Sequence, residues 1–346
     1  MTANTCYLTA IASVTPNRSV ENDHYEELFG FEPGSISQRT GLRSRRVAPA
    51  DTSPTDLGMD AVRRLEELTG GLGEIDMIVS AGTSRDQSIP TDAMLYAHRL
   101  ELPSVQCVHV EAVCLSFLNA LEVADLYIRS GKKRRVLIVS AEMPSRVANP
   151  DDPSSAFLFG DGAAAALLTP GDSATPNDTR TTPPRPTGST TLPAGRVGRV
   201  IVRTEALGGN SAVASLRAGG LKHMPSGPNY SPKDARFFVD GPLELKLARK
   251  YLPDLVRELL AGESLETVNH IIPHQVVPKM VRSVLKRFPG AAEKLHLRDD
   301  YGNQAAASIP VVLSECLADG RIRSGHRVLL VGGAAGFSVG GALLEF

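Results

Sequence analysis

The sequence has no tryptophan, and aromatic residues make up only 5% of its 346 positions. No stripe of lysine and arginine interleaved with aromatics runs along it. A formal net charge of −1 gives no electrostatic case for a nucleic-acid partner. Cysteine is scarce too: Cys6, Cys107, Cys114 and Cys316 form no CxxC pair and have no nearby histidine at ligand spacing. That argues against a zinc site or a disulfide framework and fits a reducing cytoplasm. Long hydrophobic runs are missing, since none approaches the ~18 residues of a membrane span. Residues 1–16 lack a basic segment followed by a clean apolar core, so no signal peptide is expected. What is left, with 42% hydrophobic and 22% charged residues, is an ordinary globular composition. The length suits two domains or one large duplicated one.

Strand-like and helix-like segments alternate almost throughout, which predicts an α/β layered fold. Strands are expected at 7–14, 75–80, 105–110, 135–140 and 163–168, and helices at 56–67, 92–100 and 115–130, with Thr55 as an N-cap of the first. Residues 169–196 break the pattern. They are rich in proline, threonine and glycine, cannot bury a core, and read as a connector. Alternation then resumes with strands at 197–206, 268–272, 328–331 and 337–346. Helices follow at 243–260, 279–288 and 305–318, the first of them kinked or interrupted at Pro253. The expected organisation is therefore 1–168, a connector at 169–196, and 197–346.

The two halves resemble each other. Ile128-Arg129-Ser130-Gly131 precedes the strand at 135–140, and Ile322-Arg323-Ser324-Gly325 precedes that at 328–331. Each half closes in a Gly/Ala-rich strand. The order of elements suggests a duplicated α/β unit, in which the helices at 115–130 and 305–318 are paired at the centre. The segment 115–128 is apolar nearly all round, as a buried helix would be.

Cys114 stands where an apolar strand passes into that central helix. A thiol at a helix N-terminus has its pKa lowered and becomes a nucleophile; alternatively it is a buried structural cysteine. Duplication would bring to the same place His274, at the end of the strand 268–272, and Asn303, before the helix 305–318. Together they supply a thiolate, a base or N–H donor, and an orienting amide. Singly, His274 reads as a turn histidine and Asn303 as an N-cap. His109 and His270 read as structural, and the other histidines show no convergence.

These residues, with Ala112-Val113-Cys114, Phe159-Gly160-Asp161-Gly162-Ala163, Pro273-His274-Gln275, Gly302-Asn303…Ala306-Ala307-Ser308-Ile309-Pro310 and Gly332-Gly333-Ala334-Ala335-Gly336-Phe337, resemble the β-ketoacyl-ACP synthase III family of thiolase-fold condensing enzymes. The resemblance covers nearly the whole chain except 169–196. It implies a five-layered α-β-α-β-α fold, a homodimer and an acyltransferase of the EC 2.3.1 class. No cofactor is implied; the substrates would be thioesters of CoA or acyl carrier protein. Cys114 would take the acyl group, and His274 and Asn303 would stabilise the enolate from a decarboxylating malonyl thioester. The N–H groups of Cys114 and Ala335 would form the oxyanion hole. Ile89 and Phe337 would line the acyl pocket, and Arg39, Arg249 and Lys250 would bind CoA or the carrier.

Departures from the family pattern are Ser35 in place of a tryptophan, Pro153 in place of an arginine, Ala334-Ala335 in place of glycines, and the bulky Val113 and Leu115 around the nucleophile. They suggest a specialised biosynthetic member. An alternative is transfer of the acyl group to an oxygen or nitrogen acceptor without C–C bond formation. A non-catalytic partner subunit is disfavoured because all three residues are present.

Overall fold

In the computed structural model, residues 5–153, 155–171, 192–205 and 213–346 are described; most of the 169–196 connector lies outside them. The main strands are β1 (Cys6–Val14), β2 (Met77–Ala81), β3 (Gln106–Val110), β4 (Val136–Glu142), β5 (Gly162–Pro170), β6 (Gly195–Thr204), β7 (His270–Pro273), β8 (Arg327–Ala334) and β9 (Ser338–Glu345). The main helices are α1 (Pro54–Thr69), α2 (Asp92–Arg99), α3 (Ser116–Arg129), α4 (Gly241–Leu259), α5 (Pro278–Leu285) and α6 (Ser308–Ala318).

The nine strands form one continuous sheet in the order β7-β8-β9-β6-β1-β5-β4-β2-β3. Its two halves repeat the same pattern. In one, β2 is parallel to β4, β4 antiparallel to β5, and β5 antiparallel to β1. In the other, β7 is parallel to β8, β8 antiparallel to β9, and β9 antiparallel to β6. Even the β2–β3 pairing has a trace in the second half, the isolated parallel bridge Ile271↔Leu295. The halves join where β1 meets β6, through Tyr7↔Arg196 and Leu8↔Gly195.

Layering follows from the alternation of side chains along the strands. Met77, Val79, Val136 and Ile138 face a core shared with α3 and α6. Ile78, Leu137 and Val139 face the opposite core under α1 and α2. In the second half Val328 and Leu330 face the shared core, while Leu329 and Val331 face α4 and α5. The result is five layers, with α3 and α6 between the two half-sheets. Among the described residues no helix is long and apolar enough to cross a membrane.

Three local expectations are corrected. The N-cap of α1 is Ser53, not Thr55. The Ser53 hydroxyl accepts the Asp56 N–H and the Asp56 carboxylate accepts the Ser53 N–H, a reciprocal cap that the Pro54-Thr55 start permits. Helix α4 is not interrupted at Pro253 but continues through it. Proline leaves the carbonyl four residues back without its N–H, and the Arg287 guanidinium donates to that Arg249 carbonyl at 3.2 Å instead. Finally, α3 is not buried all round. Leu126 is 61% exposed, while Phe117, Leu118, Leu121 and Ile128 are buried.

Candidate active site

Both central helices begin the same way. A single 3-10 turn precedes each, Val113–Leu115 before α3 and Ala305–Ala307 before α6. Each turn opens on a non-glycine residue with positive φ, Val113 at 51° and Ala305 at 44°. Such strained backbone persists only where its surroundings impose it, and it collects at functional sites. The equivalence places Cys114 opposite Ala306 and Ser116 opposite Ser308. The two turns pack against each other, and β8 packs against the first.

Cys114 is half-buried. Its thiol is pushed well up, first by burial and then by the charges of Glu244 and Glu142. The backbone N–H groups of Ala335 and of Cys114 itself hydrogen-bond to the sulfur and pull the other way. The expected lowering by the helix N-terminus is therefore overturned: removal of water outweighs the N–H groups. The resting side chain is a neutral thiol with two donors aimed at its sulfur. Ala335 occupies the three-residue turn between β8 and β9, beside the Ala334↔Ser338 pair.

His274 follows β7 directly. Its N–H donates to the Val331 carbonyl at 2.8 Å, continuing the β7–β8 pairing, and the side chain is buried. Nδ1 lies 2.7 Å from Ser308 Oγ, and Ser308 Oγ also accepts the Gln275 N–H at 3.3 Å. Burial lowers the imidazole pKa to about 4, so the ring is neutral near pH 7. His274 adjoins the thiol's own turn: a Cβ on Gly332 would meet His274 Cβ at 2.7 Å and Leu115 Cδ2 at 3.3 Å. Ser308 is a residue of this site for which the sequence offered no argument beyond its place in the Ala306–Pro310 motif.

Asn303 is buried, and its Oδ1 accepts the Ala305 N–H at 2.9 Å, which leaves the Nδ2 group as a donor. The Phe159–Gly162 loop sets its position. Asn303 N–H donates to the Leu158 carbonyl at 2.8 Å, and Gly160 N–H donates to the Asn303 carbonyl at 3.2 Å. The approach needs glycine, since a Cβ at Gly160 would fall 1.8 Å from the Tyr301 carbonyl oxygen. Asp161 fastens the same loop by accepting from Ala48 N–H and the Ser145 hydroxyl at 2.8 and 2.7 Å.

Opposite the thiol, the first half carries a carboxylate. Glu142, at the end of β4, is buried and accepts the N–H groups of Thr83 and Ser84 at 2.9 and 3.0 Å, together with the backbone of Ala306. Burial raises its pKa nonetheless. The duplicated unit thus holds a nucleophile candidate at one helix start and a carboxylate clamp at the other.

The remaining expected residues are more scattered. Phe337 is buried and lines a cavity beside His274. Ile89 is 87% exposed on the surface of this chain. Arg39 stacks on Phe31 at 5.5 Å in the short helix Ser35–Thr40, which packs on α5. Arg249 and Lys250 lie on the outer face of α4, where with Lys246 and Arg287 they line an open groove of about 460 Å³. Histidine convergence was missed elsewhere: His270 Nδ1 is 2.9 Å from His296 Nε2, and its Nε2 is 2.9 Å from His326 Nδ1. Among the described residues no cluster suits a metal ion.

The sequence model of the 3-oxoacyl-[acyl-carrier-protein] synthase III family matches residues 108–181, and the model of that family's C-terminal part matches residues 260–346. A β-ketoacyl-[acyl-carrier-protein] synthase III from Allorhizobium ampelinum is 30% identical, over 97% of this chain and 98% of the relative. One from Deinococcus deserti is 31% identical, over 96% of this chain and 88% of the relative. Among solved structures, the priming β-ketosynthase of the R1128 polyketide biosynthetic pathway is 26% identical and superposes with a TM-score of 0.83, covering 99% of this chain and 97% of that one.

Proposed function

We propose that this chain, which belongs to the β-ketoacyl-[acyl-carrier-protein] synthase III family, carries an acyl group as a thioester on Cys114 and condenses it with a malonyl thioester. The donor is an acyl thioester of CoA or of a carrier protein. Cys114 sulfur attacks its carbonyl carbon, the donor thiol departs, and the thiol proton leaves with it. The malonyl C–COO⁻ bond then breaks, releasing carbon dioxide and leaving the electron pair as an enolate. The enolate carbon attacks the acyl carbonyl, the C–S bond to Cys114 breaks, and the returning thiolate takes up a proton. The product is a 3-oxoacyl thioester.

The observation that carries this reading is the pair of N–H groups, from Ala335 and Cys114, directed at the sulfur. Donors preorganised there are placed to hold the oxyanion that forms when the thioester carbonyl is attacked. The enolate needs donors rather than a positive charge, and the site supplies them from neutral groups. Ser308 Oγ accepts from Gln275, so its own proton is free for Nδ1 of His274, leaving Nε2–H as the donor. Asn303 Nδ2 is the second. A dry site strengthens both bonds and spares them reorganisation.

The reading is tested by incubating the protein with a panel of acyl-CoAs and acyl-carrier proteins and weighing the intact chain. An acyl adduct on Cys114, followed by carbon dioxide release on adding a malonyl thioester, is the expected result. No adduct with any donor overturns it. An adduct discharged by an alcohol or amine, without carbon dioxide, replaces condensation by simple acyl transfer.

We further propose a homodimer built on the β3 edge. All five residues of β3 are only half-buried, and Met94 and Leu126, on helices packed against that strand, are 53% and 61% exposed. Unpaired strand edges and apolar surface of this kind are covered in stable proteins. Ile89 then faces the second copy rather than water. Light scattering that returned the mass of a single chain at micromolar concentration would disprove the dimer.

A further inference from the structure

A narrow cavity with about 50 Å³ of free space lies beside His274, between α4, α5 and β8. Twelve of its fourteen lining residues are apolar or glycine, among them Leu252, Val284 and Phe337; the exceptions are His274 and Glu244. A half-buried carboxyl group in such surroundings requires explanation, because withdrawing one from water without a partner is costly.

Capping of α4 does not supply that explanation. Asp240 is the N-cap, and its carboxylate already accepts the Leu243 N–H at 3.0 Å. Among the described residues no donor or cation is bonded to the Glu244 carboxylate, and burial alone moves its pKa, up to about 7. Near neutrality the group therefore exists both as acid and as carboxylate. Its charge, when present, opposes ionisation of Cys114, so it stands within electrostatic reach of the acyl-carrying sulfur. Glu244 thus joins three properties: it lines the cavity beside His274, no protein donor among the described residues is bonded to its carboxylate, and its charge reaches the Cys114 sulfur.

We propose that Glu244 is the specificity-determining residue of this cavity, selecting acyl groups that carry a hydrogen-bond donor, a hydroxyl or an ammonium, over plain alkyl chains. The inference rests on the acyl-enzyme reading above and names its substrate class. A plain chain would cover the carboxyl and leave it unpaired, whereas a donor-bearing chain would satisfy it. Sites in which the bound substrate covers a polar group discriminate against analogues that lack the matching group. An ammonium would also cancel the charge that opposes the Cys114 thiolate.

The test compares butyryl, 3-hydroxybutyryl and 3-aminobutyryl groups, each presented as CoA and as carrier-protein thioesters, by the rate of adduct formation on Cys114. The wild type should load one of the two donor-bearing chains at least ~10-fold faster than butyryl. Glu244→Leu should abolish or invert that ratio. Glu244→Gln, which keeps the shape and an acceptor oxygen, should retain a preference for hydroxyl and lose one for ammonium, separating the two donors. Faster loading of butyryl by the wild type, or an unchanged ratio in Glu244→Leu, overturns the proposal while leaving the acyl-enzyme intact. Absence of any adduct in the wild type brings down the acyl-enzyme reading and this inference with it.

Discussion

Cys114→Ala will show no acyl adduct by intact mass and will lose condensation by about 10⁴-fold or more, the scale on which removing a covalent nucleophile acts. The loss should not come from unfolding. Cys114 is only half-buried, and its side chain supplies the site more than the core. Its replacement removes a sulfur that burial and two nearby carboxylates already hold in the neutral form. A near-native melting temperature together with no adduct is the expected pair of results. An adduct persisting in Cys114→Ala would place the acyl group on another residue and remove the basis of the mechanism. Cys6 and Cys316 make poor substitutes, because both are buried and burial raises both thiols.

His274→Ala should behave differently. Acylation should survive, since the Ala335 and Cys114 N–H groups remain, while malonyl decarboxylation should fall by about 10²–10⁴-fold with loss of the Nε2–H donor. Single-turnover loading and carbon dioxide release, measured separately, distinguish the steps; loss of loading itself would show that His274 acts on the thiol instead. A second readout is stability against pH. The folded-state pKa of His274 is lowered from 6.5 to about 4, so between these values the unfolded chain binds more protons than the folded one. His274 therefore contributes a loss of stability as pH falls from about 6.5 toward 4. His274→Ala should remove that contribution to the slope and leave those of His296, lowered to about 4 with the same sign, and of Glu244, raised to about 7 with the opposite one. An unchanged slope would mean that the ring is not held neutral by burial.

Much of the site was legible because the chain repeats itself. Once the elements around Ile128–Gly131 and Ile322–Gly325 are paired, β4 corresponds to β8 and α3 to α6, and the ends of these elements must converge. Cys114, His274 and Asn303 follow from that pairing. Boundaries came within a few residues where side-chain periodicity was strong, as in β1 and α1. Other features are not legible in this way. The Asn22–Phe29 and Ser35–Thr40 helices are short and are set by contacts rather than by pattern. Glu244 reads in the sequence as one more polar position of an amphipathic helix; only packing turns it toward His274.

The sequence by itself determined the layered α/β architecture, the duplication and the identities of the candidate catalytic residues, because period, order and motif are properties of the chain alone. The tertiary structure decided the protonation states and the surroundings. Cys114 is a neutral thiol and not a preformed thiolate, since enclosure by protein outweighs the helix start on which it sits. Ser308 fixes the His274 ring and Glu142 reaches the Ala306 backbone, through contacts spanning 34 and 164 residues of chain. Desolvation and hydrogen-bond direction depend on which groups meet in space, and residues that far apart meet only when the whole fold closes.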